Sequence, residues 1–169
     1  MSETITDLTL DSLRDHLQQA GYRVERLTDP VANVQYLRSA TAGVGFDIRP
    51  GNRLPGADEN FADLTFVLVL QVAGDLPLDL VNRWNTARRF GRLHLSPPFL
   101  VFCLDISVIN GVTPAHLRAQ IDLWDRLLQD LLPFLRTAIA EAAAQSDKTA
   151  AQPVAEPRAE QPPPAASLN

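Results

Sequence analysis

The stretch from Leu78 to Ile106 constrains the fold more than any other part of the chain, because it joins a helix directly to two consecutive strands. The helix is predicted from apolar residues at helical spacing, namely Leu80, Val81, Trp84 and Ala87. Gly91 is predicted to end the helix in a left-handed conformation, which costs glycine nothing. The strands Arg92–Leu95 and Phe99–Ile106 follow. A sheet packed against helices is therefore expected.

Two predicted strands, Leu64–Val72 and Phe99–Ile106, are apolar on both faces. If one face packs on helices, the other would present apolar side chains to water, and monomers rarely tolerate such a patch beyond a few hundred Å². We therefore predict a protein interface on the second face, formed by Val67, Val69, Phe99, Val101 and Cys103. In the alternative, the last helix folds back beyond Pro133 and covers that face itself.

The remaining segments complete an α+β pattern. A helix is predicted from the N-cap Thr9 to Gly21, and a hydrophobic period of two predicts a β-meander between Tyr22 and Ile48. Residues 49–60 contain two prolines and two glycines and are predicted to form a mobile loop. The order predicts a two-layer domain, in which three helices lie on one side of an antiparallel sheet of five or six strands.

The last helix is predicted to begin at Thr113-Pro114, an N-cap followed by proline at the first helical position. It is expected to reach Ala144, with a kink or an end of its straight part at Pro133, which has no amide for the helical hydrogen bond. Beyond it, Ala, Gln, Pro and Glu dominate, which is typical of disorder. The predicted domains are therefore an α+β domain at residues 1–144 and a disordered Pro/Ala-rich tail at 145–169.

Composition argues against several classes of function. The net charge of -5 argues against a general binder of nucleic acid or anionic membranes, which needs excess cations. The single cysteine, Cys103, rules out an internal disulfide and favours a reducing compartment. The N-terminus has no secretory pattern, and no apolar run approaches the roughly 20 residues of a membrane span. We therefore expect a cytoplasmic protein whose partners are other proteins.

The sequence contains no catalytic or metal-binding pattern. The histidines His16, His94 and His116 form no paired spacing, and Cys103 in an apolar strand is expected to be a small core residue. We therefore expect no enzyme activity and no cofactor.

One charged cluster offers a second hypothesis. Arginines gather around Trp84 and could bind an anion or a small ligand: Arg83, Arg88, Arg89 and Arg92. The opposing interpretation is a solvated helix end, whose arginines bond to carbonyls and to local acids. Asn82 and Asn85 are expected to bond to the backbone and fix the junction between helix and strand.

The run Val81-Asn82-Arg83-Trp84-Asn85, then Arg89-Phe90-Gly91-Arg92, an apolar strand, and Asn110-Gly111-Val112-Thr113 before a long helix resembles the YbjN domain family. The resemblance covers about Leu8 to Leu135. It implies bacterial sensory transduction regulators with a fold similar to type III secretion chaperones, which are small, non-enzymatic, often dimeric α+β domains that bind other proteins. We therefore expect a homodimer that acts as a chaperone-like or regulatory module on a protein client.

Overall fold

The computed structural model describes residues 4–72 and 76–150. Its elements follow the predicted order of helix, meander, helix, two strands and helix. The helices are α1 (Leu10–Gln19), α2 (Leu78–Ala87) and α3 (Pro114–Ala150). The strands are β1 (Glu25–Thr28), β2 (Gln35–Thr41), β3 (Val44–Pro50), β4 (Arg53–Leu54), β5 (Ala57–Phe61), β6 (Asp63–Gln71), β7 (Arg92–Ser96) and β8 (Phe99–Ser107).

Six of these strands form one antiparallel sheet in the order β1-β2-β3-β6-β8-β7, and β4 pairs with β5 in a separate hairpin. The longest ladder joins β6 to β8 over all nine residues of each strand, from Asp63↔Ser107 to Gln71↔Phe99. These two strands were the ones predicted to be apolar on both faces, and they lie in the middle of the sheet. The predicted α+β fold is confirmed.

The core lies between the helices and one face of the sheet. Strand residues alternate, so Leu64, Phe66 and Leu68 of β6 point to the helices and are buried. Trp124 of α3 lies at the centre, with ring centroids 5.4 Å from both Phe66 and Phe102 and 5.5 Å from Phe46. The other helices bury Leu13 and Leu17 of α1 and Leu80, Val81 and Trp84 of α2 in the same core.

The last helix stays on this side of the sheet throughout its buried length. It runs through Pro133 as one helix, and Leu131, Leu135 and Ala138 are buried in the core. Phe134 packs on Trp84 with ring centroids 5.3 Å apart. The alternative in which the helix folds back over the second sheet face is therefore wrong for the described residues. The helix also includes residues 145–150, which the sequence assigned to the tail, while 151–169 lie outside the described residues.

Two local predictions need correction. Residues 49–60 are not a simple loop, because β4 and β5 form a hairpin there and Phe61 bridges to Leu8 beside α1. The left-handed residue after α2 is Phe90 (φ 74°) rather than Gly91, and the helix already ends at Ala87.

Candidate interaction surface

We call the sheet face opposite the three helices the open face. Among the described residues, no helix lies on it. Side chains alternate along each strand, so the residues between the core positions of β6 and β8 point away from the helices. They are Thr65, Val67 and Val69 of β6, and Phe99, Val101, Cys103 and Asp105 of β8. The register places Val67 beside Cys103 and Val69 beside Val101. The structure therefore brings all five predicted interface residues onto one face.

Four of these residues form a partly exposed apolar strip, which we define as Val67, Val69, Phe99 and Val101. Val69 is 50% exposed and Phe99 is 39% exposed. Val67 and Val101 are half-buried by their neighbours in the sheet. Cys103 is only 4% exposed, so its thiol contributes little to any contact surface. Burial is also the main cause of the raised pKa of this thiol, and nearby Arg92 partly offsets it.

Ion pairs border the apolar strip on its β3 side. Arg38 donates to Asp47 through Nε at 2.7 Å and through Nη2 at 3.2 Å. Arg49 lies 3.4 Å from Asp47 and 3.2 Å from Asp29. Its guanidinium carbon is also 4.5 Å from the ring centroid of Tyr36, which is buried although no described helix covers this face. The arginine stems thus shield an aromatic ring while their charges stay in water.

Another ion pair borders the strip on its β7 side. Arg92 lies 3.2 Å from Asp105, and the hydroxyl of Thr65 donates to the same carboxylate at 2.7 Å. Sequence reasoning did not include Asp47, Arg49 or Asp105 among the predicted interface residues. The available signal was their position, since each alternates with a buried apolar neighbour in its strand.

The loop between β1 and β2 contributes Asp29 to the β3 border. The backbone N–H groups of Ala32 and Val31 donate to its carboxylate, and Arg49 adds a further bond. These bonds stabilise the charged form and hold the pKa of Asp29 below its ordinary value. The border is therefore charged at neutral pH.

The structure does not gather the four predicted anion-binding arginines into one site. Arg83 pairs with Glu141 at 3.1 Å and Arg88 lies 3.5 Å from Asp130, both against α3. Arg92 is on the open face, and Arg89 lies over the ring of Phe90. Three of the four are thus bound to separate carboxylates, as the opposing interpretation expected.

The junction between α2 and β7 is fixed by Asn85. Its amide nitrogen donates to the carbonyl of Leu93 at 2.8 Å, and its oxygen accepts from the N–H of Leu93 at 3.0 Å. This confirms the backbone-bonding role predicted for Asn85. The side chain of Asn82 is exposed and makes no hydrogen bond within the described part of the chain, so the same prediction is wrong for Asn82.

A cleft of about 1090 Å³ lies between the end of α1, strand β2 and the first half of α3. Its polar groups bond mainly to each other: the hydroxyl of Thr41 donates to Asp125, and Arg118 donates to Asp122 at 3.0 Å. Tyr22 lines the same cleft, and its pKa is raised by burial and then by the charges of Asp125 and Asp122. Arg118 and Asp122 neutralise each other, and Asp125 bonds to the neutral side chains of Thr41 and Gln129.

Among residues 4–72 and 76–150, no group of three or more metal-ligating side chains comes together. None of the described helices is both long and apolar enough to cross a bilayer.

A family model matches residues 9–137, which is more than half of the chain. Its name is YbjN and its description is "Putative bacterial sensory transduction regulator". The chain belongs to the YbjN family. No curated protein and no solved structure matches it. YbjN is a family of regulators and is not a known enzyme family.

The residues that carry the YbjN resemblance serve the fold. Trp84 is buried between Phe102 and Phe134, and Asn85 bonds to Leu93. Further along, Val112 exchanges backbone hydrogen bonds with Ile5, and the hydroxyl of Thr113 accepts from the N–H of His116 at the start of α3. These positions stabilise the YbjN domain, and none of them belongs to the apolar strip.

Proposed function

We propose that this YbjN chain is a non-enzymatic regulatory module that binds proteins and forms a homodimer through its open face. One observation carries the proposal: the apolar strip lies on two neighbouring strands, β6 and β8, of a sheet face that no described helix covers. Exposing Val69 and Phe99 to water is unfavourable roughly in proportion to their apolar area, so covering them contributes to association. The family description, a regulator, supports a binding role rather than a catalytic one.

The charges across the open face favour a second copy of the chain as the occupant. The register gives one row in the order Glu25, Arg38, Asp47, Val67, Cys103 and Arg92. Next to the apolar strip, Asp47 lies on one side, where it pairs with Arg38 and Arg49, and Arg92 lies on the other, where it pairs with Asp105. In a dimer with two-fold symmetry the same patch meets itself. A two-fold axis parallel to the strands, between β6 and β8, places Asp47 over Arg92 of the partner subunit.

The same symmetry places apolar residues on apolar residues. Val69 then lies over Val101 of the partner subunit, and Val67 lies over Cys103 of the partner subunit. Two sheets that pack face to face usually keep their strands within about 30° of each other, which suits such an arrangement. The dimer would leave the helix side of each subunit free for a protein client, in a chaperone-like or regulatory role.

The anion-binding alternative receives less support, because Arg83, Arg88 and Arg92 already pair with carboxylates on different surfaces. A cytoplasmic location is part of the proposal and is supported by Cys103, which is a free buried thiol.

The test is the mass of the full chain by light scattering and sedimentation equilibrium at micromolar concentrations. We expect a dimer for the wild type and a monomer for Val101→Arg, because a charge in the centre of the strip cannot be desolvated without a partner. Ile109→Arg is the matched control, since Ile109 is 58% exposed and follows β8 outside the strip. A monomeric wild type, or a dimer that survives Val101→Arg, would contradict the proposal.

A further inference from the structure

The pairing between β3 and β6 ends before either strand does. The ladder runs from Pro50↔Leu64 to Asp47↔Val67, although β6 continues to Gln71. The first residues of β3 pair only with β2, up to Thr41↔Val44. The tip of that hairpin is held to α3, where the hydroxyl of Thr41 donates to Asp125. Beyond Val67, no described strand therefore pairs with β6 on its β3 side.

The alternation of backbone hydrogen bonds shows which groups face this gap. The N–H of Gly51 donates to the carbonyl of Asp63, so Asp63 and every second residue after it direct their backbone groups toward β3. The N–H of Val72 donates to the carbonyl of Pro98, on the β8 side. The residues of β6 that alternate with the first set therefore direct their backbone groups toward β8. Val69 and Gln71 thus direct two N–H and two C=O groups into the gap. We call these two residues the inner edge.

The two outer edges of the sheet are protected, in contrast to the inner edge. Strand β1 is only four residues long, and its Arg26 pairs with Asp11 at 2.6 Å. Strand β7 has the side chain of Asn85 bonded to both backbone groups of Leu93. Proteins commonly block sheet edges with short strands, charges and covering groups. The stretch Val67–Val72 carries no charge and no proline.

An apolar groove of about 620 Å³ adjoins the inner edge on the helix side of the sheet. Leu70 and Leu100 line it from the sheet, and Leu132, Leu135 and Ile139 line it from α3. Ile139 is 45% exposed there. Arg136 also lines the groove and forms no ion pair within the described part of the chain, so it offers a positive charge at the rim.

We propose that the inner edge and this groove bind an extended segment of a partner protein by strand addition. The backbone of the segment would bond to Val69 and Gln71, and its alternate side chains would be apolar and enter the groove. An acidic residue of the segment would lie near Arg136. This is a second surface, because the groove is on the helix side and the dimer surface is on the open face. Val69 takes part in both, through its backbone in the inner edge and through its side chain in the apolar strip.

The test uses a fluorescein-labelled synthetic peptide that alternates valine and threonine and carries one terminal aspartate, with fluorescence anisotropy as the readout. The control peptide has the same sequence with alternate backbone amides N-methylated, which removes the donors that face the edge. We expect saturable binding of the first peptide only. Absence of binding, or equal binding of both peptides, overturns the proposal.

Two variants locate the binding site. Gln71→Pro removes an N–H that faces the gap and lies outside the apolar strip, and a proline is tolerated at a strand position whose N–H is unpaired. Ile139→Glu places a charge in the groove. Each is expected to weaken peptide binding by about tenfold or more. The control Ile109→Glu, at an exposed isoleucine elsewhere, should leave binding unchanged. Binding that survives both Gln71→Pro and Ile139→Glu overturns the proposal.

Hydrogen exchange by NMR on the wild-type chain tests the edge even if a variant fails to fold. The amides of Val69 and Gln71 should exchange rapidly in the free protein and become protected with the peptide, while Leu68 and Leu70 stay protected in both states. Slow exchange at Val69 and Gln71 in the free protein overturns the proposal. So does a loss of self-association in Ile139→Glu, because the edge would then bind another copy.

The dimer variant Val101→Arg separates this inference from the proposed function. Peptide binding that persists in Val101→Arg supports an edge that works without the dimer. Binding that disappears together with the dimer would overturn the independence of the two surfaces.

Discussion

The sequence explains only in part why residue 91 is a glycine. Glycine after a helix usually adopts a left-handed conformation, yet here Phe90 does so, at φ 74°. A Cβ added at Gly91 would lie 2.2 Å from Cζ and 2.6 Å from Cε2 of Phe102. Gly91 is therefore required because the Phe102 ring approaches its backbone. Sequence alone could not separate these two reasons, since the second depends on a ring eleven residues away.

The close approach predicts a clear effect of Gly91→Ala. The Phe102 ring stacks on Trp124 and cannot move freely, so the added methyl group should lower the free energy of unfolding by about 1–3 kcal/mol. Gly45→Ala is the control, because its Cβ would meet only the carbonyl oxygen of Ser39 at 3.8 Å. Urea unfolding followed by tryptophan fluorescence measures both. Equal stability of the two variants would show that the ring yields.

The raised pKa of Cys103 predicts a pH effect. A folded-state pKa above the ordinary thiol value of 9.0 means that the folded protein holds the proton more tightly. The contribution of this thiol to the free energy of unfolding is then fully present below the ordinary thiol value and is lost as pH rises above it. Between about pH 8 and about pH 10 the unfolding midpoint of the wild type should fall more than that of Cys103→Ala. Tyr22, whose pKa is also raised, adds the same loss to both proteins. Parallel pH curves would contradict the prediction.

At the scale of elements, the long helix α3 shows how packing tolerates a proline inside a helix. Pro133 lacks the amide that would bond to the carbonyl of Gln129, so a kink or an end of the straight part is expected there. The helix continues through Pro133 to Ala150, and Leu131, Leu135 and Ala138 on either side of the proline are buried in one core. Tertiary packing therefore outweighs the local cost of the proline.

That cost should appear when the proline is removed. Pro133→Ala restores an amide and a residue with high helix propensity at an exposed position, and should raise the free energy of unfolding by about 1–3 kcal/mol. Pro114→Ala is the matched control, since proline at the first helical position loses no hydrogen bond. Thermal and urea unfolding measure both variants. A loss of stability in Pro133→Ala would mean that the core requires the local geometry of the proline.

The junction between α2 and β7 gives a second prediction at this scale. Asn85→Ala leaves the N–H and C=O of Leu93 without their partner and should cost about 1–2 kcal/mol. It also uncovers part of the β7 edge, so the variant should aggregate faster on heating. Asn82→Ala, on the same helix but exposed, should behave as the wild type. Unfolding midpoints and light scattering during a temperature ramp provide the comparison.

Local patterns predicted which segments form helices and strands, but not all of their partners. The period of two located β2, β3, β6, β7 and β8, and the N-cap Thr9 begins α1 as expected. The hairpin β4–β5 was missed because two prolines and two glycines masked its short strands. The early end of the β3–β6 ladder was missed as well, because a period of two predicts strands but not the residue at which their pairing stops.

For the whole molecule, the decisive feature is that three helices cover only one side of a six-stranded sheet. The sequence predicted this surplus surface from apolar residues on both faces of β6 and β8. It did not predict the charges around it, because Asp47 and Arg92 lie 45 positions apart in the chain and meet in one row only through the sheet order. In the proposed dimer, the apolar strip would supply association and these flanking charges would supply orientation.

The orientation of the two subunits in the proposed dimer can be tested by a double-mutant cycle on the dimer dissociation constant. If Asp47 lies over Arg92 of the partner subunit, Asp47→Asn and Arg92→Gln should each weaken the dimer. The double variant should be little weaker than either one, which gives a coupling of about 0.5–3 kcal/mol. Asp11→Asn with Arg92→Gln is the control cycle and should be additive, because Asp11 pairs with Arg14 and Arg26 beside α1. Sedimentation equilibrium measures each constant. Additivity in the first cycle would mean that the two residues do not meet, and a dimer through the apolar strip would then need a different two-fold axis.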